Sequence, residues 1–102
     1  MKKLSKVQIK QQAAVMAAVE ALEEKAFAEL TDVEQCWFSM EHDAFPGSLL
    51  VRVQFKNQQA VDDAQENLLV WQKRLSGLLL KKGILIKNMR NHLVFTVLSP
   101  DD

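Results

Sequence analysis

Apolar positions along the chain change their spacing from segment to segment, and each change marks an element. Val15, Val19, Leu22, Ala26 and Leu30 recur at steps of three and four, which lays one apolar stripe along a helix. Residues 5–30 contain no glycine or proline and are rich in alanine, glutamate, glutamine and lysine, all good helix formers. Ser5 followed by Gln8 has the form of a capping box, in which each side chain satisfies the other's backbone amide. Thr31-Asp32 breaks the helix.

The period then drops to two. Cys36, Phe38 and Met40 point one way, and Gln35, Trp37 and Ser39 the other. Leu49, Val51, Val53 and Phe55 alternate with Leu50, Arg52, Gln54 and Lys56, the mark of a half-buried strand. Pro46-Gly47 between the two strands predicts a type II turn, with Gly47 supplying the positive φ. Asn57 is suited to cap a second helix. Val61, Ala64, Leu68, Trp71, Leu75 and Leu78 form its seam, and the pattern predicts a helix continuous from about Ala60 to a C-terminal cap at Gly83. Residues 84–87 and 93–98 then read as strands around a turn at 88–92.

These elements predict an α+β fold: two helices packed on an antiparallel sheet of four strands, in the order αββαββ. That order is a circular permutation of the ferredoxin-like one, with the second and fourth strands central. An antiparallel sheet in another order is the alternative. Leu49, Val51, Val53 and Phe55 are expected to share a sheet face with Leu93, Phe95 and Val97, covered by Val19, Leu22, Leu68, Trp71 and Leu75. One domain over residues 1–102 suits the length, with short flexible ends at about 1–4 and 99–102.

Composition narrows the class. The chain is 48% hydrophobic and 25% charged, the balance of a globular protein and not of a disordered one. Formal net charge is zero, which argues against a partner held by bulk charge. A lone cysteine, Cys36, makes no internal disulfide, so a reducing, cytoplasmic setting is expected. Lys2 and Lys3 ahead of the alanine-rich 13–19 run imitate a signal peptide, but polar residues interrupt the run and Glu20 ends it. A soluble protein without a membrane segment is the expectation.

Charge is nonetheless unevenly placed. Acidic residues crowd residues 20–66, and none occurs between Glu66 and Asp101. Lys73, Arg74, Lys81, Lys82, Lys87 and Arg90 lie in that second stretch and form a candidate basic patch for phosphates or an acidic partner. The plainer reading is a helix whose charges suit its own dipole, followed by a solvated hairpin. The patch lacks the aromatics that stack single-stranded bases, and the chain has no tyrosine.

The stretch Phe45-Pro46-Gly47-Ser48-Leu49-Leu50-Val51, with Trp37 before it, Phe55 after it, and Gly83-Ile84 and Val94-Phe95 further on, is similar to a group of small proteobacterial proteins. They have similar length and often carry the automatic label "Fis family transcriptional regulator". The resemblance covers mainly residues 37–55 and brings no established activity. Residues 73–84 are similar to the basic recognition helix of true Fis proteins, which implies DNA binding. A helix-turn-helix requires a short helix and tight turn immediately upstream, whereas the apolar pattern makes residues 73–82 the end of one long helix.

Candidate chemistry is sparse. Cys36 with His42 or His92 is the one nucleophile–base set the composition allows, yet Cys36 shares the strand face of Phe38 and Met40 and reads as core. His42-Asp43 reads as a polar turn. Glu41, Asp43, Asp62, Asp63 and Glu66 match no calcium loop, and the last three suit a helix start. The glycines at 47, 77 and 83 are isolated, so no phosphate-binding loop is present. No catalytic residue, metal or cofactor is expected.

The expected function is that of a non-enzymatic interaction module, a homodimer or the binder of a protein partner. Trp37, Phe38 and Met40 are its candidate interface, because a small sheet covered on one face leaves aromatics for a partner. A nucleic-acid-binding regulator using residues 73–92 is the alternative.

Overall fold

The computed structural model describes residues 4–101. Helix α1 (Lys6–Glu29) begins at the capping box: Ser5 Oγ accepts from the Gln8 amide at 3.1 Å, and Gln8 Oε1 accepts from the Ser5 amide at 3.0 Å. It stops at Leu30, whose backbone is extended, and two residues later Asp32 takes a positive φ of 61°. Aspartate tolerates that left-handed conformation better than most residues, because its short side chain bonds locally. The Asp32 carbonyl then accepts from the Lys56 amide at 2.9 Å, which ties this corner to the end of a strand.

Strands β1 (Val33–Ser39) and β2 (Leu50–Phe55) pair antiparallel, with Cys36 opposite Val53 and Phe38 opposite Val51. Their connection is longer than the tight turn expected from Pro46-Gly47. It holds a 3-10 turn at His42–Ala44 and a cis Phe45–Pro46 bond, and Gly47 does not take a positive φ. The longer loop lets Phe45 fold back against the core, where a two-residue turn would strand it at the tip. Ser48 clasps the loop: its Oγ accepts from the Glu41 amide at 2.8 Å and donates to the Glu41 carbonyl at 3.0 Å.

The second helix is not continuous. Helix α2 (Gln58–Ala64), capped by Asn57 Oδ1 on the Ala60 amide at 2.8 Å, passes through a 3-10 turn (Gln65–Asn67) into α3 (Leu68–Lys81). The backbone stays right-handed through the joint, with Gln65 at φ −56° and ψ −32°. Helix α2 buries the small side chains Ala60, Val61 and Ala64, whereas α3 buries Trp71 and Leu75. The 3-10 turn between them is an exposed polar triplet, Gln65-Glu66-Asn67, which buries nothing. Helix α3 closes as expected at Gly83 (φ +82°), where the Gly83 and Ile84 amides donate to the Leu80 and Leu79 carbonyls at 2.9 Å. This is the Schellman pattern.

The largest departure from the pattern lies in the sheet, which has three strands and is mixed. Strand β3 (Leu93–Thr96) pairs with β2 in parallel, Val51 opposite Leu93 and Val53 opposite Phe95, in the order β1-β2-β3. The crossover through α2 and α3 carries the chain from the end of β2 back to the level of its start, so the strand that follows runs parallel. This is a plain βαβ unit and not the split one that the ferredoxin-like permutation requires. Residues 84–87 pair with no strand. Ile84 and Ile86 are buried and Leu85 is 67% exposed, so their alternation serves to plug the end of the core and not to extend the sheet.

One core joins the layers. Val15, Val19, Leu22 and Ala26 of α1 and Trp71, Leu75 and Leu79 of α3 close over Cys36, Val51, Val53, Phe55, Leu93 and Phe95. Phe55 and Phe95 meet edge to face at 5.3 Å, the preferred arrangement of aromatic quadrupoles. Leu68 is only half-buried, and Val97 lies past β3 and is exposed, so it does not join the core as expected. Helix α1 runs antiparallel to α3: Glu29 meets Arg74 at 2.7 Å at one end, and residues 7–17 flank residues 82–85 at the other. Of the ends expected to be flexible, residues 1–3 and 102 lie outside the described residues.

Phe55 is 1% exposed and touches both the sheet and its helical cover. Phe55→Ala is expected to cost about 3–5 kcal/mol, read from chemical denaturation. A loss under about 1 kcal/mol would contradict this packing.

Candidate interaction surface

The residues that chemistry would need are held apart. Cys36 lies on β1 beneath α1, and its amide donates to Glu23 Oε2 at 2.8 Å. Burial, reinforced by the Glu23 carboxylate, pushes the Cys36 thiol up to about 12, whereas a nucleophilic cysteine needs an electropositive site that lowers it. His92 immediately precedes β3, with β2 between that strand and Cys36, and its Nδ1 donates to the Leu49 carbonyl at 2.6 Å. His42 sits in the 3-10 turn, with Nδ1 buried and without a hydrogen-bond partner. Its neighbour Asp43 accepts from Gln8 at 3.4 Å.

The acidic residues divide in the same way. Glu41 and Asp43 precede β2, whereas Asp62, Asp63 and Glu66 follow it on α2 and the next turn. Asp62 and Asp63 accept from Gln58 and Gln59 one turn back, at 3.0 and 2.8 Å. Among the described residues no three acidic, histidine or cysteine side chains are grouped to hold a metal.

One backbone group at each edge of the sheet is taken by a helix side chain. The Cys36 amide bonds Glu23 and not β2, so Glu23 occupies a donor on the outer edge of β1. On β3 the Leu93 carbonyl accepts from Gln72 Nε2 of α3 at 3.1 Å, and Gln72 is buried. One helix side chain at each edge thus covers a backbone group that would template another strand. Neither residue stands out in the apolar pattern. Gln72 does carry a signal, since it borders the arc of Trp71, Leu75 and Leu79, and a polar side chain there must find a buried partner.

The face of the sheet away from the helices carries Gln35, Trp37, Ser39, Leu50, Arg52, Gln54, Val94 and Thr96, and none of these joins the core. The Arg52 guanidinium lies 4.4 Å from the centre of the Trp37 ring and donates to Ser39 Oγ at 3.1 Å. Gln54 accepts from Gln35 at 3.0 Å and donates to Glu34 at 3.2 Å. Trp37 Nε1 is buried without an acceptor. The three candidate interface residues therefore separate: Trp37 belongs to this face, while Phe38 and Met40 pack against the core on the other.

The basic residues separate too. Lys81, Lys82, Lys87 and Arg90 are exposed where α3 ends and the chain returns towards β3. Arg74 is engaged with Glu29 and lies 4.7 Å from the Trp71 ring, and Lys73 is exposed mid-helix. A groove of about 760 Å³ runs between the N-terminal half of α1, Phe45-Pro46 and residues 82–85, with Lys10 and Lys82 in its lining and no carboxylate.

The fold and these surfaces define a two-layer α+β domain with one sheet face on which no helix packs and Gln54 alone is buried. Comparison with protein-family models, curated proteins and solved structures gives no match. No helix among the described residues is long and apolar enough to cross a membrane.

Cys36 is expected to react slowly with a thiol reagent in the folded protein and fast once denatured. Its raised folded value also has a sign. The folded state favours the neutral thiol, so that stability is complete below the ordinary cysteine range and is lost as pH rises towards about 12. Denaturation midpoints of the wild type should fall over that window more steeply than those of Cys36→Ala, and equal slopes would contradict the assignment.

Proposed function

We propose that the chain is a non-enzymatic interaction module that works as a homodimer in a reducing, cytoplasmic setting. The observation that supports this reading is the large apolar surface left uncovered around a completed core. Val7, Ile9, Met16 and Phe27 on α1 are all at least 45% exposed, and the sheet face around Trp37 carries no helix. Exposed apolar side chains gathered on one element mark association surfaces. With one backbone group taken at each sheet edge, faces are the means of association favoured over edges. Glu34 and Arg52 place opposite charges on the open face, and zero net charge leaves no long-range repulsion between copies.

A second reading rests on the acid-free stretch 67–100 and the exposed cluster Lys81, Lys82, Lys87 and Arg90. With the resemblance to proteins labelled as Fis-like regulators, it makes the chain a nucleic-acid binder. Lys81 and Lys82 then close the crossover helix of a βαβ unit, whose other side is committed to the core, and Lys87 and Arg90 lie in the return to β3. Arg74 is neutralised by Glu29.

Light scattering over a concentration series, beside titration of labelled DNA and RNA at low and moderate salt, separates the readings. A dimer that persists at raised salt, with at most weak and salt-sensitive nucleic-acid binding, is the expected outcome. Phosphate contacts release counterions, so their affinity falls steeply with salt. A monomer that binds duplex tightly at physiological salt, and loses it when Lys81 and Lys82 are neutralised, would establish the second reading instead.

A further inference from the structure

Helix α1 carries its charges against its own dipole. Its first turn holds Lys6 and no acidic residue, and its last turn holds Glu29 and no basic one. Helix N-termini favour anions and C-termini favour cations, and α3, with Lys81 in its last turn, obeys that rule. The offence extends along the outer face of α1. Lys6 and Lys10 occupy its N-terminal half, Glu20 and Glu24 its C-terminal half, and all four are exposed. Lys25, a cation in the second half, lies about 100° round the helix from Glu24.

The fold corrects this only at the C-terminal end, where Arg74 of α3 pairs with Glu29. The end of α3 beside Lys10 brings Lys82 into the same groove, so like charges face each other there. Between the two charged halves the outer face is small and apolar. Ala13, Ala17 and Ala21 follow at steps of four, flanked on one side by Ile9, Met16 and Phe27, which are 55%, 45% and 53% exposed. On the opposite side of α1, Val15, Leu22 and Ala26 are fully buried. One side of the helix is therefore spent on the core, and the other is apolar at its centre and polarised end to end.

From this we infer that the outer face of α1 is the dimer interface, with α1 of a second copy lying antiparallel across it. The inference rests on the self-association reading and names its surface. A twofold axis at Ala17 sets Lys10 of each copy against Glu24 of the other and Ala13 against Ala21. Ile9 comes alongside Phe27 on the flank. The alanines allow close approach of the two backbones. An antiparallel copy also opposes the two macrodipoles and places carboxylates beside the lysine-lined groove. A parallel copy would stack lysine on lysine and glutamate on glutamate.

Charge exchange tests this. Lys6→Glu with Lys10→Glu makes the face wholly acidic, and Glu20→Lys with Glu24→Lys makes it wholly basic. Each double variant, with its helical circular dichroism unchanged, is expected to dimerise at least about tenfold more weakly than the wild type, since several pairs turn repulsive together. Mixed in equal amounts, the two should form a heterodimer at least as tight as the wild-type dimer. As an independent readout in a Cys36→Ala background, Ala17→Cys should cross-link under mild oxidation and Ala28→Cys should not. A wild type that stays monomeric at every concentration overturns both this interface and the self-association reading. A dimer that ignores both charge reversals, or weakened variants that fail to pair when mixed, leaves self-association standing and overturns the α1 interface. Cross-linking at Ala28→Cys overturns the antiparallel arrangement.

Discussion

The double pairing of β2, with Val51, Val53 and Phe55 sealed beneath the helices, is the constraint on which the rest of this fold depends. Val51, Val53 and Phe55 are at most 1% exposed, and the strand they belong to is the one that hydrogen-bonds on both sides, antiparallel to β1 and parallel to β3. Every other element is placed by reference to it. The hairpin loop delivers its start, α2 and α3 leave from its end, and β3 must return to its start. Both helices find their cover on its buried face, because alternate side chains of a strand all point the same way.

Polar groups at the borders of that core do as much to define the molecule as the apolar ones inside it. Glu23 and Gln72 are helix residues whose side chains end on strand backbone, one at each edge of the sheet. His92 does the same for the Leu49 carbonyl at the mouth of the hairpin. Unpaired backbone at a buried edge is costly, and each bond removes that cost while denying the edge to another chain. The helix-free face of the sheet and the outer side of α1 lie beyond these borders.

Those faces differ in kind. The open side of the sheet is a polar lattice around one indole, with Arg52 on Trp37 and the Glu34, Gln35 and Gln54 chain beside it. The outer side of α1 is small and apolar in the middle and charged at its ends. A helix whose charges oppose its own dipole carries a local cost, which the Glu29–Arg74 pair offsets at one end only, and local rules in folded proteins are broken mainly where function or association compensates.

Much of the architecture is legible in the residues themselves. The Ser5–Gln8 capping box, the Asn57 cap, the Gly83 stop and the alternation through Val51 and Val53 are local devices, decided by neighbours three or four positions away. The separation of Trp37 from Phe38 also follows from strand geometry alone. Tertiary structure decided what involves distant segments. The strand that β3 joins, and its parallel sense, were set by where the crossover helix returns the chain. Residues 84–87 have the alternation of a strand, yet Ile84 and Ile86 satisfy it by plugging the core. The loop at residues 40–49 opens beyond a Pro-Gly turn because Phe45 has somewhere to be buried. In each case the sequence states which side chains must leave water, and only the packed chain supplies the place where they do so.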